Sequence, residues 1–283
     1  MKIAFIGCGN MGEAILAGIH RQHTCYVCEP RAERQAALKK KYRVAFGMLA
    51  DVVRAADAVF LAVKPQDLPD VLAEMRRIPL GKKLVISIAA GVTTGSIEKK
   101  LRGRVRVVRV MPNLPAMAGE GMSGLCRGKN ATPKDAALVK GVFDVVGKTL
   151  VVPERQIDAV TAVSGSGPAY VFLFVECMME AARKLGFDAK EARLLVYQTL
   201  SGSARLLAQS EDPAGVWRAR VTSKGGTTQA AMAFTLILSV KRPFLSAPME
   251  RKSAGAGAAV SMSLCHRRFS SRTGTSGRRN TTS

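Results

Sequence analysis

One short stretch restricts this chain more than any other: IGCGNMG, residues 6–12, entered directly from the apolar KIAF at the N-terminus. Gly7, Gly9 and Gly12 stand in G-x-G-x-x-G spacing. That spacing is weak on its own. It becomes strong here because it follows a strand-like run and opens an amphipathic helical stretch, NMGEAILAGIH. In such a unit the first glycine permits a tight turn, the second lets a pyrophosphate approach the backbone, and the third lets helix and strand pack closely. The helix start adds unpaired N–H groups and partial positive charge. The loop therefore predicts a dinucleotide-phosphate site formed by Ile6, Gly7, Cys8, Gly9, Asn10, Met11 and Gly12.

The residues that follow alternate in the same manner. CYVCE, AVFLAV, KLVISIAAGV and VRVVRVMPN read as strands, with SGLCRG and TLVVP as later short ones. Several are continuously apolar, as strands covered on both faces of a parallel sheet must be. The predicted class is α/β: a doubly wound, Rossmann-type sheet over residues 1–153. After Pro153 the pattern changes to long helical runs, GPAYVFLFVECMMEAARKLG and DAKEARLLVYQTLSGSARLLAQS, then the short DPAGVWRARV. An all-helical dimerisation and substrate domain is expected over 154–234, followed by an atypical basic tail over 235–283.

Two further places in the sheet bear on the nucleotide. The second strand ends at Glu29, and an acidic residue there bonds a ribose 2′-hydroxyl and favours NAD. Arg31 and Arg34 follow, and an arginine there accommodates the 2′-phosphate of NADP. The two signals conflict, and solvated helix residues explain the arginines as well. Ala62, Val63, Lys64 and Pro65, in LAVKPQD, close a third strand at the sheet edge where ligands bind in this architecture.

The formal charge of +22 raises the question of nucleic acid, but nine Lys+Arg against the single Glu250 place +8 of it after residue 234. The rest is interspersed with acidic residues, and four Tyr with one Trp offer little base-stacking surface. No nucleic-acid partner is expected; a basic surface attracts anionic nucleotides equally well. No window of eighteen uncharged apolar residues appears, and the N-terminus reads as a strand instead of a leader, so no membrane partner and a cytoplasmic location are expected. Cys25 and Cys28 form a C-x-x-C, but inside a strand their side chains face opposite ways, which argues against a redox or metal pair. His20, His23 and His266 do not converge by spacing and read as surface residues.

FIGCGNMGEAI, FLAVKPQDL, ISIAAGV, VVRVMPN, AVTAVSGSGPAY and VTSKGGTT occur in this order from Met1 to about Phe234. In this they resemble the pyrroline-5-carboxylate reductases. The resemblance implies a Rossmann domain and a helical domain that forms a homodimer or higher homo-oligomer. It also implies reduction of the cyclic imine 1-pyrroline-5-carboxylate to L-proline with NADPH, or alternatively NADH. By the same resemblance Thr228 is the catalytic residue, its hydroxyl close to the substrate nitrogen. Ser223, Gly225, Gly226 and Thr227 hold the substrate carboxylate, with the amides of a helix start as the cradle. Ser164 and Ser166 supply a second wall, which tight helix packing between subunits explains equally well, and Asn113 fixes a loop near the nicotinamide. Hydride addition to an electrophilic imine carbon needs positioning above all, and no metal is called for.

The chain departs from the family pattern at three places. Leu114 stands where threonine is commoner after MPN, and Lys224 where proline is commoner before GGTT. After QAAMAF the resemblance ends in a Ser-, Arg-, Gly- and Thr-rich sequence with a composition typical of disordered segments. A reading frame shifted near codon 234 is the expected cause, with a genuine basic tail as the alternative. The competing functional readings are a related Rossmann and helical hydroxy-acid dehydrogenase, or a cofactor-binding protein inactive because its last helices are missing.

Overall fold

The structure is a computed structural model and describes residues 1–229 of the chain. The supporting helix expected through Phe234 and the basic tail lie outside the described residues. Chain contacts divide the molecule into two compact units, Met1–Ser203 and a second from Ala204 onward.

The first unit is built on one eight-stranded sheet. In chain order its elements are β1 (Lys2–Ile6), α1 (Asn10–Ile19), β2 (Thr24–Cys28), α2 (Ala32–Lys41), β3 (Ala45–Phe46), α3 (Leu49–Ala55), β4 (Ala58–Leu61) and α4 (Leu68–Met75). Then come β5 (Leu84–Ser87), α5 (Thr94–Leu101), β6 (Arg106–Met111), β7 (Gly121–Arg127), α6 (Pro133–Asp144) and β8 (Gly147–Val151). The strand order is β3-β2-β1-β4-β5-β6-β7-β8. Every pairing is parallel except β6 with β7, which a short 3-10 turn at Leu114–Ala118 makes antiparallel. The chain order reverses between β1 and β4, and ligands bind beyond the strand ends at such a point.

Period-two alternation on β1 shows why the strands must be apolar throughout. Ile3 and Phe5 join the core beneath α1 and α6, whereas Ala4 and Ile6 join the core beneath α3, α4 and α5. Phe5 and Phe60 stack with ring centroids 4.9 Å apart, and Phe143 closes on Phe60 at 6.1 Å. The C-x-x-C follows the same rule. Cys25 lies in the first core and Cys28 packs against the second, so the two thiols are on opposite faces and free. His20 and His23 are half-buried, not surface residues; His20 meets the edge of the Tyr42 ring. β3 is only two residues long, too short for a hydrophobic pattern to announce.

Beyond β8 the chain turns helical: α7 (Ile157–Val160), a wide π-type turn at Thr161–Gly165, α8 (Gly167–Lys184) and α9 (Ala189–Gln209). α9 runs into the second unit, whose described part also holds α10 (Ala214–Arg220) and the loop that follows it. In that unit Trp217 Nε1 donates to Ser210 Oγ at 3.1 Å, and Arg220 lies 4.5 Å over the Trp217 ring.

Helix α8 is apolar, yet none of its residues is buried. The helical run Glu154–Lys184 meets the length and composition of a membrane span, an eighteen-residue window within it having mean hydropathy 1.3. The sequence criterion of eighteen uncharged residues does not detect it, because Asp158 and Glu176 leave only seventeen residues between them.

Candidate functional site

The ends of β1, β2 and β4 form one cleft of about 530 Å³. Gly7, Cys8, Gly9 and Asn10 line one side, Glu29, Pro30 and Arg31 the second, and Ala62, Val63 and Lys64 the third. Ile6 and Gly12 lie beneath it, buried, and Met11 is half-buried. Pro65 continues the Lys64 turn on the exposed side, where the Asp67 amide donates to the Lys64 carbonyl at 3.0 Å. The cofactor residues expected from sequence on these three strand ends thus surround a single space.

The turn after β1 depends on glycine. Gly7 has φ +76°, and a Cβ there would sit 2.8 Å from Val63 Cγ1 and 3.1 Å from the Ala62 carbonyl oxygen. Gly9 is different: a Cβ there would meet nothing within 4 Å, so its face of the loop is open to a ligand. Gly9 also caps α1 without a side-chain bond, leaving the first-turn amides of that helix free of any side-chain partner. Open amides, an open glycine face and a cleft of this size fit the pyrophosphate of a dinucleotide.

The conflict between Glu29 and its neighbouring arginines is resolved by contacts within the chain. Glu29 is buried, 4% exposed, and its Oε2 accepts the Cys8 amide at 3.0 Å. Arg31 grips the same carboxylate, Nε to Oε1 at 2.7 Å and Nη2 to Oε2 at 3.0 Å, and its own amide adds a bond to Oε1 at 3.2 Å. Burial pushes the Glu29 carboxyl up, but the hydrogen bonds from Arg31 and the Cys8 amide outweigh it and hold the group below its ordinary range. Arg34 secures the other side of the loop, Nε donating to the Cys8 carbonyl at 2.8 Å while its head pairs with Glu13. Burial drives the Cys8 thiol up to about 12, so it stays protonated and inert.

At the end of β6, Asn113 does what a loop-fixing residue must do. It is 9% exposed; its Oδ1 accepts the Met122 amide at 2.8 Å, and its Nδ2 donates to the Ser164 carbonyl at 3.1 Å and hydroxyl at 3.3 Å. Ser164 therefore stands on the strand-end edge of the sheet, in the π-type turn, a deviation that recurs at functional sites. Ser166 begins α8, its amide donating to the Thr161 carbonyl at 2.8 Å.

A second set of contacts, not identified from sequence, anchors this helical entry. Arg109 is 2% exposed in β6 and pairs with Asp158 at 3.3 Å and Glu154 at 3.6 Å. Glu154 in turn accepts the Thr94 amide at 2.7 Å and hydroxyl at 2.8 Å. The available signal was the arginine in the middle of RVVRVM, flanked on both sides by valines: a buried charge requires partners.

The loop Ser223–Thr228 belongs to the second unit. Gly225 has φ +72°, and its amide donates to Gln229 Oε1 at 2.7 Å; the Gly226 amide donates to the Ser223 carbonyl at 3.1 Å. Two of the three amides expected to be unpaired are therefore bonded locally. For Gly225 the reason is a glutamine just inside the helix whose side chain reaches back, much as in a capping box; for Gly226 it is the tight turn from Ser223. Thr227 and Thr228 are exposed at the helical turn that follows.

A Rossmann-type sheet with the Gly7–Gly12 loop, and a helical region pinned to its strand-end edge by Asn113 and Arg109, fit the class of nicotinamide-nucleotide-dependent oxidoreductases. A family profile described as pyrroline-5-carboxylate reductase dimerisation matches residues 154–237, and one described as NADP oxidoreductase, coenzyme F420-dependent, matches residues 2–91. The Mycobacterium tuberculosis pyrroline-5-carboxylate reductase is 38% identical over 258 residues, covering 82% of this chain and 88% of that protein. The chain belongs to the pyrroline-5-carboxylate reductase family. Among solved structures, the Coxiella burnetii reductase superposes with TM-score 0.75 at 36% identity, covering 83% of this chain and 90% of the other. The Plasmodium falciparum enzyme, solved with NADP bound, gives 0.76 at 30% identity, covering 84% and 90%.

Proposed function

We propose that this chain reduces the C=N bond of 1-pyrroline-5-carboxylate, giving L-proline, with NADPH as the preferred donor. The observation that supports this reading is the Asn113–Ser164 contact, which holds Ser164 at the sheet edge where the nucleotide loop opens. When bound, the nicotinamide supplies the hydride. The chain's part is to hold the two partners. Gly7, Gly9 and the first turn of α1 take the pyrophosphate, Arg31 takes a 2′-phosphate, and Ala62–Pro65 flank the cofactor. Ser164 and Ser166 form one wall for the imine. By the family resemblance Ser223, Gly225, Gly226 and Thr227 hold the substrate carboxylate; within their own loop the Thr227 amide and the Ser223 hydroxyl are the donors for it, since the Gly225 and Gly226 amides are engaged. Thr228 holds a proton at the substrate nitrogen.

The division into a nucleotide domain at 1–153 and a helical domain at 154–234 is supported by the end of β8 at Val151 and the helical run from Glu154. The exposed apolar side chains of α8 support a homodimer, with the run Glu154–Lys184 packed against a second copy and not in lipid. Free cysteines and no disulfide among the described residues support a cytoplasmic place.

The test is NADPH oxidation on addition of 1-pyrroline-5-carboxylate, with L-proline identified as the product. NADPH binding without turnover would favour the inactive cofactor-binding alternative and overturn the catalytic reading.

A further inference from the structure

The carboxylate at the end of β2 is usually read as a ribose partner, but here it has no capacity for one. A carboxylate offers about four acceptor positions. Glu29 has all of them filled: Oε1 by the Arg31 amide and Nε, Oε2 by the Cys8 amide and Arg31 Nη2. The pair is two-pronged and planar, the arrangement that fixes an arginine in orientation as well as in position. It commits Nε and Nη2 of Arg31 to Glu29, while the Arg31 side chain, 65% exposed, lines the nucleotide cleft. The same carboxylate holds the amide of Cys8, inside the phosphate loop, whose carbonyl Arg34 holds from the other side.

We propose that Glu29 is a positioning residue that sets the preference for NADPH over NADH: it aims Arg31 for a 2′-phosphate and withholds its own oxygens from a ribose hydroxyl. This rests on the nucleotide-binding reading above. Glu29 acts through Arg31, so its effect in favour of NADPH exists only while Arg31 is present. A carboxylate that read the ribose directly would act the same with or without Arg31, and in the opposite sense.

The experiment is direct binding to the full chain, with dissociation constants for NADPH and NADH followed by nicotinamide fluorescence. The proteins are the natural chain, Arg31→Ala, Glu29→Gln and the double variant. Losing a charge-assisted pair to a phosphate should loosen NADPH by about tenfold or more in Arg31→Ala and move NADH by less than about twofold. Glu29→Gln replaces one acceptor with a donor, breaks the fork, and should loosen NADPH several-fold more than NADH. In the Arg31→Ala background, where two acceptor positions of Glu29 are vacated, the same change should no longer weaken NADPH relative to NADH. The inference is overturned if Glu29→Gln tightens NADPH, loosens NADH the more, or shifts the ratio equally in both backgrounds. If Glu29→Gln fails to fold, Arg31→Lys decides. It keeps the charge without the fork and should lose most of the selectivity, and an undiminished ratio overturns the proposal. A natural chain that binds both cofactors equally overturns the inference alone; one that binds neither overturns the nucleotide reading with it.

Discussion

Phe60 on β4 and Phe172 on α8 are the same side chain in opposite circumstances: the first is 0% exposed and the second 49%. Their neighbours follow them. Phe5, Ile6, Val59 and Leu61 are closed off by helices on both faces of the sheet. Tyr170, Leu173 and Phe174 stay open at 42%, 60% and 49%. The sheet carries its own cover, because each βα unit brings the helix that buries the strand before it. Among the described residues, no second layer closes over the apolar surface of the long helix. Burying one such side chain is worth about 1.5–3 kcal/mol, so a row of them left uncovered is a standing drive toward association. The comparison separates the part of this protein that one chain can complete from the part that needs another surface.

The largest expected effect lies on the completed side. Phe60→Ala empties the centre of the Phe5–Phe60–Phe143 stack and should cost about 3–5 kcal/mol, measured by urea unfolding. A loss under about 1 kcal/mol would mean that the core repacks easily and the contrast with α8 is weaker than it looks.

Next is Asn113→Ala, which leaves the Met122 amide without its acceptor and frees Ser164 from the sheet edge. It should cost about 1–3 kcal/mol in stability and lower imine reduction, while NADPH binding holds. Unchanged turnover would show that the Asn113–Ser164 contact does not position the substrate region.

A smaller effect is set by pH. In both Glu29 and Glu13 burial raises the carboxyl pKa, but hydrogen bonds and ion pairs from Arg31, Lys41, Tyr42 and Arg34 prevail and lower it. Groups lowered in the folded state stabilise above the ordinary carboxylate value of about 4.3 and lose that contribution as pH falls through their folded values. The natural chain should therefore lose stability below about pH 4 more steeply than Glu29→Gln. Equal slopes in thermal unfolding across that range would show that Glu29 is not paired in solution.

The least effect on the single chain's own fold should come from Leu173→Glu, within about 0.5 kcal/mol. Its consequence lies in assembly: sedimentation should shift toward the monomer. A distribution that does not move would show that α8 is covered by something other than a second copy.

Much of this site was legible in the residues. The spacing of Gly7, Gly9 and Gly12 places an open phosphate loop, because turn geometry and helix-end amides are local properties. Ala62–Lys64 follows from knowing where a parallel strand ends. Glu29 shows where legibility stopped. Its position at the end of β2 was plain, but its role depended on which donor reached it first, and those donors come from residue 8 and from two positions downstream. Gln229 is similar. Its reach back to the Gly225 amide changes which groups of the Ser223–Thr228 loop remain available, though nothing in GGTT announces it.

By itself the sequence determined the sheet, its nucleotide edge, the change to helices after Pro153 and the resemblance to a reductase family. All of these follow from short-range periodicity, glycine spacing and motif order. The tertiary structure alone decided that Glu29 closes on Cys8 and Arg31, that Arg109 anchors the helical entry, that Asn113 grips Ser164, and that α8 stays exposed among the described residues. Most of these contacts join residues far apart in the chain, and only the folded arrangement determines which donor meets which acceptor, and which apolar face stays exposed among the described residues.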